Sequence, residues 1–137
     1  MVLVTNGSIY RGEFPSIQFL NANTGFVAAN LDGILYTSNG GVNWSSRKPN
    51  PIFAVRSVFC TDFNTCYVAG ADTTPFVGRI YKSTNAGLDW NLQLSVPNFY
   101  MGYVQFLNPS TGFAGGVDSP NNQTQVVLYK TTTGGSK

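Results

Sequence analysis

The chain has 137 residues, enough for one domain with a real core, and its 42% hydrophobic, 14% aromatic and 10% charged content excludes intrinsic disorder. Eight Lys or Arg against six Asp or Glu give a net charge of +2 with no basic block, so the electrostatic footprint of a nucleic-acid binder is absent. No apolar run reaches the length of a membrane span, and the start, MVLVTNGSIY, has neither the basic nor the apolar region of a signal peptide.

In chain order the predicted elements are all strands. NGSIYRG (Asn6 to Gly12) resembles VGRIYKS (Val77 to Ser83) and DGILYTS (Asp32 to Ser38), so residues 2–11 read as the second and third strands of an incomplete first unit. Strands follow at 16–20, 25–29, 33–38 and 42–46, then at 54–60, 66–70, 79–83 and 88–93, then at 101–107, 112–116 and 126–131. Turn-forming residues separate them, as in NANT, NLDG, SNGG and NPST. No segment has helical periodicity.

The strands fall into repeats. QFLNANTGF begins at Gln18 and QFLNPSTGF at Gln105, an ungapped match at an offset of 87. Between them VFCTDFNTCYVAG aligns so that Cys60 stands with Phe19 and Phe106, and Cys66 with Gly25 and Gly112. LYTSNGGVNW and YKSTNAGLDW place Trp44 and Trp90 46 residues apart, and YKTTTGGSK begins a third copy. Four short strands in about 40–45 residues is the size of one propeller blade. The expected fold is all-β, with about three four-stranded antiparallel blades in an incomplete ring. The expected divisions are a partial blade at 1–15, blade one at 16–53, blade two at 54–98, and blade three at 99–137 lacking its last strand.

The phrases Thr37-Ser38-Asn39-Gly40-Gly41-Val42-Asn43-Trp44 and Ser83-Thr84-Asn85-Ala86-Gly87-Leu88-Asp89-Trp90 resemble the Asp-box, or BNR, repeat S-x-D-x-G-x-x-W. With the NTGF and NTCYVAG stretches before them, the resemblance is nearest to the photosystem II stability/assembly factor type. It implies a β-propeller and leaves function open, because sialidases, sorting receptors and assembly factors share the blade. The usual Asp is replaced by Asn39, Asn85 and Thr133. An Asn carbonyl can accept the turn amides that Asp would, and Thr does so more weakly. Gly41, Gly87 and Gly135 suit positive φ, and Trp44 and Trp90 are expected to pack over the hairpins. These turns read as structural.

Enzymatic readings find little support. The four arginines, Arg11, Arg47, Arg56 and Arg79, and the single Glu13 lie outside the motif context of a sialidase site. Asp32, Asp62, Asp72, Asp89 and Asp118 stand mostly in turn contexts, where solvated caps are the simpler reading than a glycosidase pair. With no His, Ser/His and Cys/His catalysis is excluded within the chain. Cys60 and Cys66 are poor zinc ligands at this spacing and read either as a hairpin disulfide or as two small buried residues. No metal or cofactor is expected. Sequons at Asn6, Asn43 and Asn122 are explained by the Asn-rich composition.

Binding is the remaining class. GADTTPFVGR (Gly70 to Arg79) and GVDSPNNQTQ (Gly116 to Gln125) read as long loops, and RKPNPIF and SVPNFYMGY as inter-blade connections. Phe53, Phe76, Phe99, Tyr100 and Tyr103 are the candidate binding-face aromatics, with seam packing as the alternative. Three blades cannot close a ring of about four to eight, so open edges are expected to be covered by a protein partner or further copies of the chain. The functional expectation is a non-enzymatic scaffold, with a glycan-binding or sialidase-like glycan-processing module as the alternative. The compartment stays open, an extracytoplasmic or secreted one being favoured.

Overall fold

The computed structural model describes residues 15–49, 54–73, 75–118 and 125–136. Phe53, Asn122 and the incomplete first unit up to residue 14 lie outside the described residues. Eleven strands are described: β1 (Ser16–Phe19), β2 (Gly25–Ala28), β3 (Ile34–Thr37), β4 (Ser45–Ser46), β5 (Ala54–Cys60), β6 (Cys66–Thr73), β7 (Phe76–Ser83), β8 (Asn91–Pro97), β9 (Phe99–Phe106), β10 (Gly112–Asp118) and β11 (Gln125–Thr131). They form three antiparallel meanders, β1-β2-β3-β4, β5-β6-β7-β8 and β9-β10-β11. Among the described residues no helix is long and apolar enough to cross a membrane.

The repeats have one register. Phe19 pairs with Gly25, Cys60 with Cys66, and Phe106 with Gly112, each at the closing end of the first hairpin of its sheet. The hairpin turns are built alike. Asn21 Oδ1 accepts from the amides of Asn23 (2.8 Å) and Thr24 (2.7 Å), Asp62 Oδ1 from Asn64 and Thr65 (2.8 Å each), and Asn108 Oδ1 from Ser110 (2.9 Å) and Thr111 (2.8 Å). This is the Asx turn, in which a short side chain satisfies amides that the ladder cannot.

Asp62 is the one charged residue at that position. Slight burial works against its charged form, but the amides of Thr65 and Asn64 and the hydroxyls of Thr65 and Thr61 outweigh it, and the carboxyl sits below its ordinary value. A depressed folded-state pKa stabilises above the unfolded value and is lost as pH falls through the folded one. Asp62→Asn is therefore expected to hold its stability at neutral pH, as Asn21 and Asn108 do in their turns, and to lose less on acidification than the wild type. Denaturant midpoints measured from neutral pH downward check this, and identical acid dependence in the two proteins would remove Asp62 from the account.

The sheets stack face to face and most of the core lies in two seams, with a smaller cluster of Val27, Ala29 and Leu35 beside Trp44 on the other face of sheet one. The first seam gathers Phe26, Ala28 and Ile34 from sheet one against Val55, Val58, Cys60, Cys66, Val68 and Tyr81 from sheet two. The second gathers Tyr67, Ala69 and Ile80 against Phe99, Met101, Val104, Phe106 and Ala114. Sheet two is thus apolar on both faces, and β6 reads CYVAGA without polar alternation because successive side chains enter opposite seams.

Several strand limits differ from expectation. GADTTPFVGR is not a long loop. Pairing continues from Gly70↔Arg79 to Thr73↔Phe76, and Arg79 Nη2 meets Asp72 Oδ2 at 2.8 Å across the extended hairpin. Likewise Gly116↔Val127 to Asp118↔Gln125 extend the third sheet. Trp44 and Trp90 precede β4 and β8 instead of lying in them. Side-chain bonds hold the chain in the turn until the Trp, and only then can it extend.

Candidate functional site

The inner strands β1, β5 and β9 run side by side and are joined by side chains that imitate strand pairing. Ser16 Oγ accepts from Val58 N (3.2 Å) and donates to Val58 O (3.4 Å). Gln18 brackets Cys60 with its whole amide, accepting from Cys60 N at 2.6 Å and donating to Cys60 O at 3.0 Å. In the next step Ser57, aligned with Ser16, makes the same pair of bonds to Val104 at 3.2 and 3.4 Å. Hydroxyl and amide side chains here satisfy backbone groups that inner strands leave unpaired.

The Trp turns lock the rim. Thr37 Oγ1 accepts from Gly41 N at 2.9 Å and donates to Asn39 Oδ1, which accepts from Asn43 N at 2.9 Å. Ser83, Gly87, Asn85 and Asp89 repeat the pattern, with Asn85 Nδ2 also donating to Asp89 Oδ2 at 2.7 Å. At the third turn Thr131 Oγ1 accepts from Gly135 N at 3.0 Å, while the Thr133 hydroxyl donates to Ser136 O. Gly41, Gly87 and Gly135 have φ of 86°, 82° and 81°, the left-handed region in which a Cβ is strained. Trp90 packs in the first seam, and its Nε1 donates to Arg47 O at 3.3 Å. The Arg47 guanidinium lies 3.5 Å from the Tyr36 ring centroid and donates to Ala86 O. Trp44 meets Phe19 edge to face at 6.2 Å.

The candidate aromatics divide. Phe76 and Tyr100 stack at 5.9 Å, with the Arg56 guanidinium 5.3 Å from the Tyr100 ring, so the structure brings these two together at one end of the second seam. For Phe99 the structure shows seam packing, the alternative reading of these aromatics. Its side chain is 1% exposed and meets Tyr129 at 5.8 Å, because β9 starts at Phe99 and points that residue into the seam. Tyr103 stands apart, 76% exposed on the outer face of sheet three with Leu107 and Leu128, each 69% exposed. A disulfide joins Cys60 and Cys66 inside the first seam. Gln18, Arg47 and Tyr67 were not singled out by sequence. The signal for Gln18 was present in the repeated QFLN phrase, whereas Arg47 and Tyr67 act between repeats.

Neither a protein-family profile nor a curated relative matches the chain. Solved structures do. An ancestral GH74 enzyme superposes with a TM-score of 0.67 at 18% identity, covering 92% of this chain and 18% of that protein. YCF48 from Cyanidioschyzon merolae gives 0.64 at 22% identity over 90% of this chain and 38% of its own, and YCF48 bound to D1 peptide gives 0.57 at 20% over 93% and 42%. The fold is that of β-propeller blades. The chain spans less than half the length of each of these proteins, and at such identities the similarity speaks for fold alone.

Proposed function

We propose that this chain is a non-enzymatic interaction and structural module of Asp-box blades, of the photosystem II assembly-factor-like type, acting within a larger assembly or a ring completed by further copies. The observation that carries this reading is the outer face of the third blade. Position by position it repeats the faces through which the first two blades dock. Gln105 stands where Gln18 does, Leu107 where Leu20 does, Phe113 where Phe26 and Tyr67 do, and Leu128 where Ile34 and Ile80 do. In the seams Phe26 and Ile34 are fully buried, yet Val126, Leu128 and Tyr103 are 87%, 69% and 76% exposed. Gln18 spends its amide on a neighbouring backbone, while Gln105 has no side-chain hydrogen bond among the described residues. An apolar sheet face with a spare amide suits another protein surface. A structure of similar fold carries a bound peptide, which supports a protein partner.

Light scattering tests the self-association form of this reading. The wild type is expected to run above the 14.8 kDa of one chain. Val126→Asp with Leu128→Asp is expected to bring it down to one chain with far-UV signal unchanged. A wild type that stays at one chain over the whole concentration range would sink that form. The likeness to GH74 enzymes and the exposed ring of Tyr103 favour glycan binding as the second reading. Sugar-array binding lost in Tyr100→Ala or Tyr103→Ala would support it.

A further inference from the structure

The three Trp-type turns share one frame and differ in one chemical respect. Each has two central residues at positive φ: Gly40 (68°) and Gly41 (86°), Ala86 (58°) and Gly87 (82°), Gly134 (64°) and Gly135 (81°). The residue before them is Asn39, Asn85 or Thr133, and its carbonyl accepts from Val42, Leu88 or Ser136 N at 3.4, 3.3 and 3.3 Å. In each turn the amide of the first central residue donates to the first hairpin of its own sheet. Gly40 N reaches Asn23 O at 2.8 Å, Ala86 N reaches Asn64 O at 2.8 Å, and Gly134 N reaches Ser110 O at 2.7 Å. Only the first turn joins a side-chain amide to a following glycine, and Asn39–Gly40 is the one Asn–Gly pair among the described residues.

That pair is chemically reactive. The glycine backbone nitrogen, once a base in water has taken its proton, attacks the Asn Cγ, and glycine has no Cβ to obstruct it. Asn39 is exposed, whereas Asn85 is half-buried and is followed by Ala86. The donors on Asn39 Oδ1, Thr37 Oγ1 at 3.0 Å and Asn43 N at 2.9 Å, face the oxygen on which negative charge develops during the attack. The step is held back at its nucleophile. The proton that Gly40 N must lose is the one donated to Asn23 O. It is released only when the hairpin between β1 and β2 lifts from the turn, which is a local opening.

The product also suits the first turn and not the second. A carboxylate at position 39 keeps both donors, each then a charge-assisted bond, and faces the neutral Asn43. At position 85 it would lose the bond from Asn85 Nδ2 to Asp89 Oδ2 (2.7 Å) and set two carboxylates against each other.

We propose that Asn39–Gly40 is a site of spontaneous deamidation, gated by the hairpin that holds the Gly40 amide. A bond forms between Gly40 N and Asn39 Cγ, the Cγ–Nδ2 bond breaks, and ammonia leaves. Water then opens the cyclic imide. Cleavage at Cγ restores the main chain with Asp at position 39, and cleavage at the other carbonyl gives isoaspartate, which lengthens the main chain through the turn. Water is the only co-reactant, and the step stands apart from the interaction reading above.

The test incubates the full chain at mildly alkaline pH, folded and in denaturant, and follows conversion at each Asn by peptide mapping with mass spectrometry. The expected result is conversion at Asn39 in the unfolded chain, slowed about tenfold or more in the folded one, with Asn85 the slower of the two sites in both. Asn21→Ala removes the side chain that holds the amides of Asn23 and Thr24, and is expected to speed conversion at Asn39 without touching the reacting atoms. Should that variant not fold, exchange of the Gly40 amide in the wild type reads the same gate, and exchange and conversion are expected to rise together as low denaturant is added. Asn39→Asp is expected to keep the denaturant midpoint or raise it, and Asn85→Asp to lower it. Equal rates at Asn39 in the folded and unfolded chain overturn the gate. No conversion at Asn39 in the unfolded chain, or a lowered midpoint in Asn39→Asp, overturns the site.

Discussion

Tyr67→Ala is expected to lower stability by about 3–5 kcal/mol, the range for removing a large buried aromatic. Tyr67 is 1% exposed, stacks on Phe106 with centroids 3.8 Å apart, and belongs to the core cluster of the second seam. Its hydroxyl donates to Gly134 O at 3.0 Å, tying the seam to the third Trp-type turn. Lys82 Nζ donates to the same carbonyl at 2.9 Å and lies 5.4 Å from the Tyr67 ring. Truncation leaves a void and strips one of two donors from Gly134 O. Tyr67→Phe keeps the stack and leaves Lys82 on the carbonyl, so about 1 kcal/mol is expected from the lost hydrogen bond alone. Denaturant midpoints give the two values. Hydrogen exchange gives the location, because β9 to β11 should open before β1 to β3. A Tyr67→Ala protein within about 1 kcal/mol of wild type would show that the seam is not the unit of stability here.

Such a residue was hard to find in the sequence, while the frame around it was easy. Strand order, repeat period and Trp turns were legible because each is written within one unit: alternating or small apolar runs, Asx-turn residues, and Gly at the left-handed positions. The ends of β6, β7, β8 and β10 were not. Gly70, Asp72 and Pro75 carry turn chemistry, yet pairing continues through this region because Asp72 and Arg79 meet across the hairpin. Local propensity lost to cross-strand contact. Seam packing was legible as one reading of Phe99 and Tyr100, but which of the two takes it was not, for a related reason. Asn98 turns the chain at φ 55°, so the strand begins one residue later and its alternation decides which of Phe99 and Tyr100 enters the seam.

Replacing both Cys60 and Cys66 by Ala is expected to lower stability by about 2–4 kcal/mol. The loop between them spans a sequence separation of 6, and closing so short a loop in the unfolded chain accounts for about 2 kcal/mol in the chain-entropy view. The rest comes from sulfur removed at positions 2% and 0% exposed. The other two blades solve the same cross-strand position without sulfur. In blade one the Phe19 ring lies over Gly25, and in blade three the Phe106 ring lies over Gly112, where an added Cβ would stand 2.7 and 2.5 Å from ring carbons. A Phe folded over a cross-strand Gly covers the site that the disulfide fills in blade two. Cys60→Phe with Cys66→Gly is therefore expected to recover more of the lost stability than the Ala pair retains, and to make the protein insensitive to reductant. Melts of the three proteins with and without a thiol reductant separate the contributions. If the Phe–Gly pair is less stable than the Ala pair, the space left by Gln18, Phe26 and Trp90 around Cys60 is too small for a ring. The disulfide would then be the answer to a narrower first seam and not an interchangeable variant of the aromatic lid.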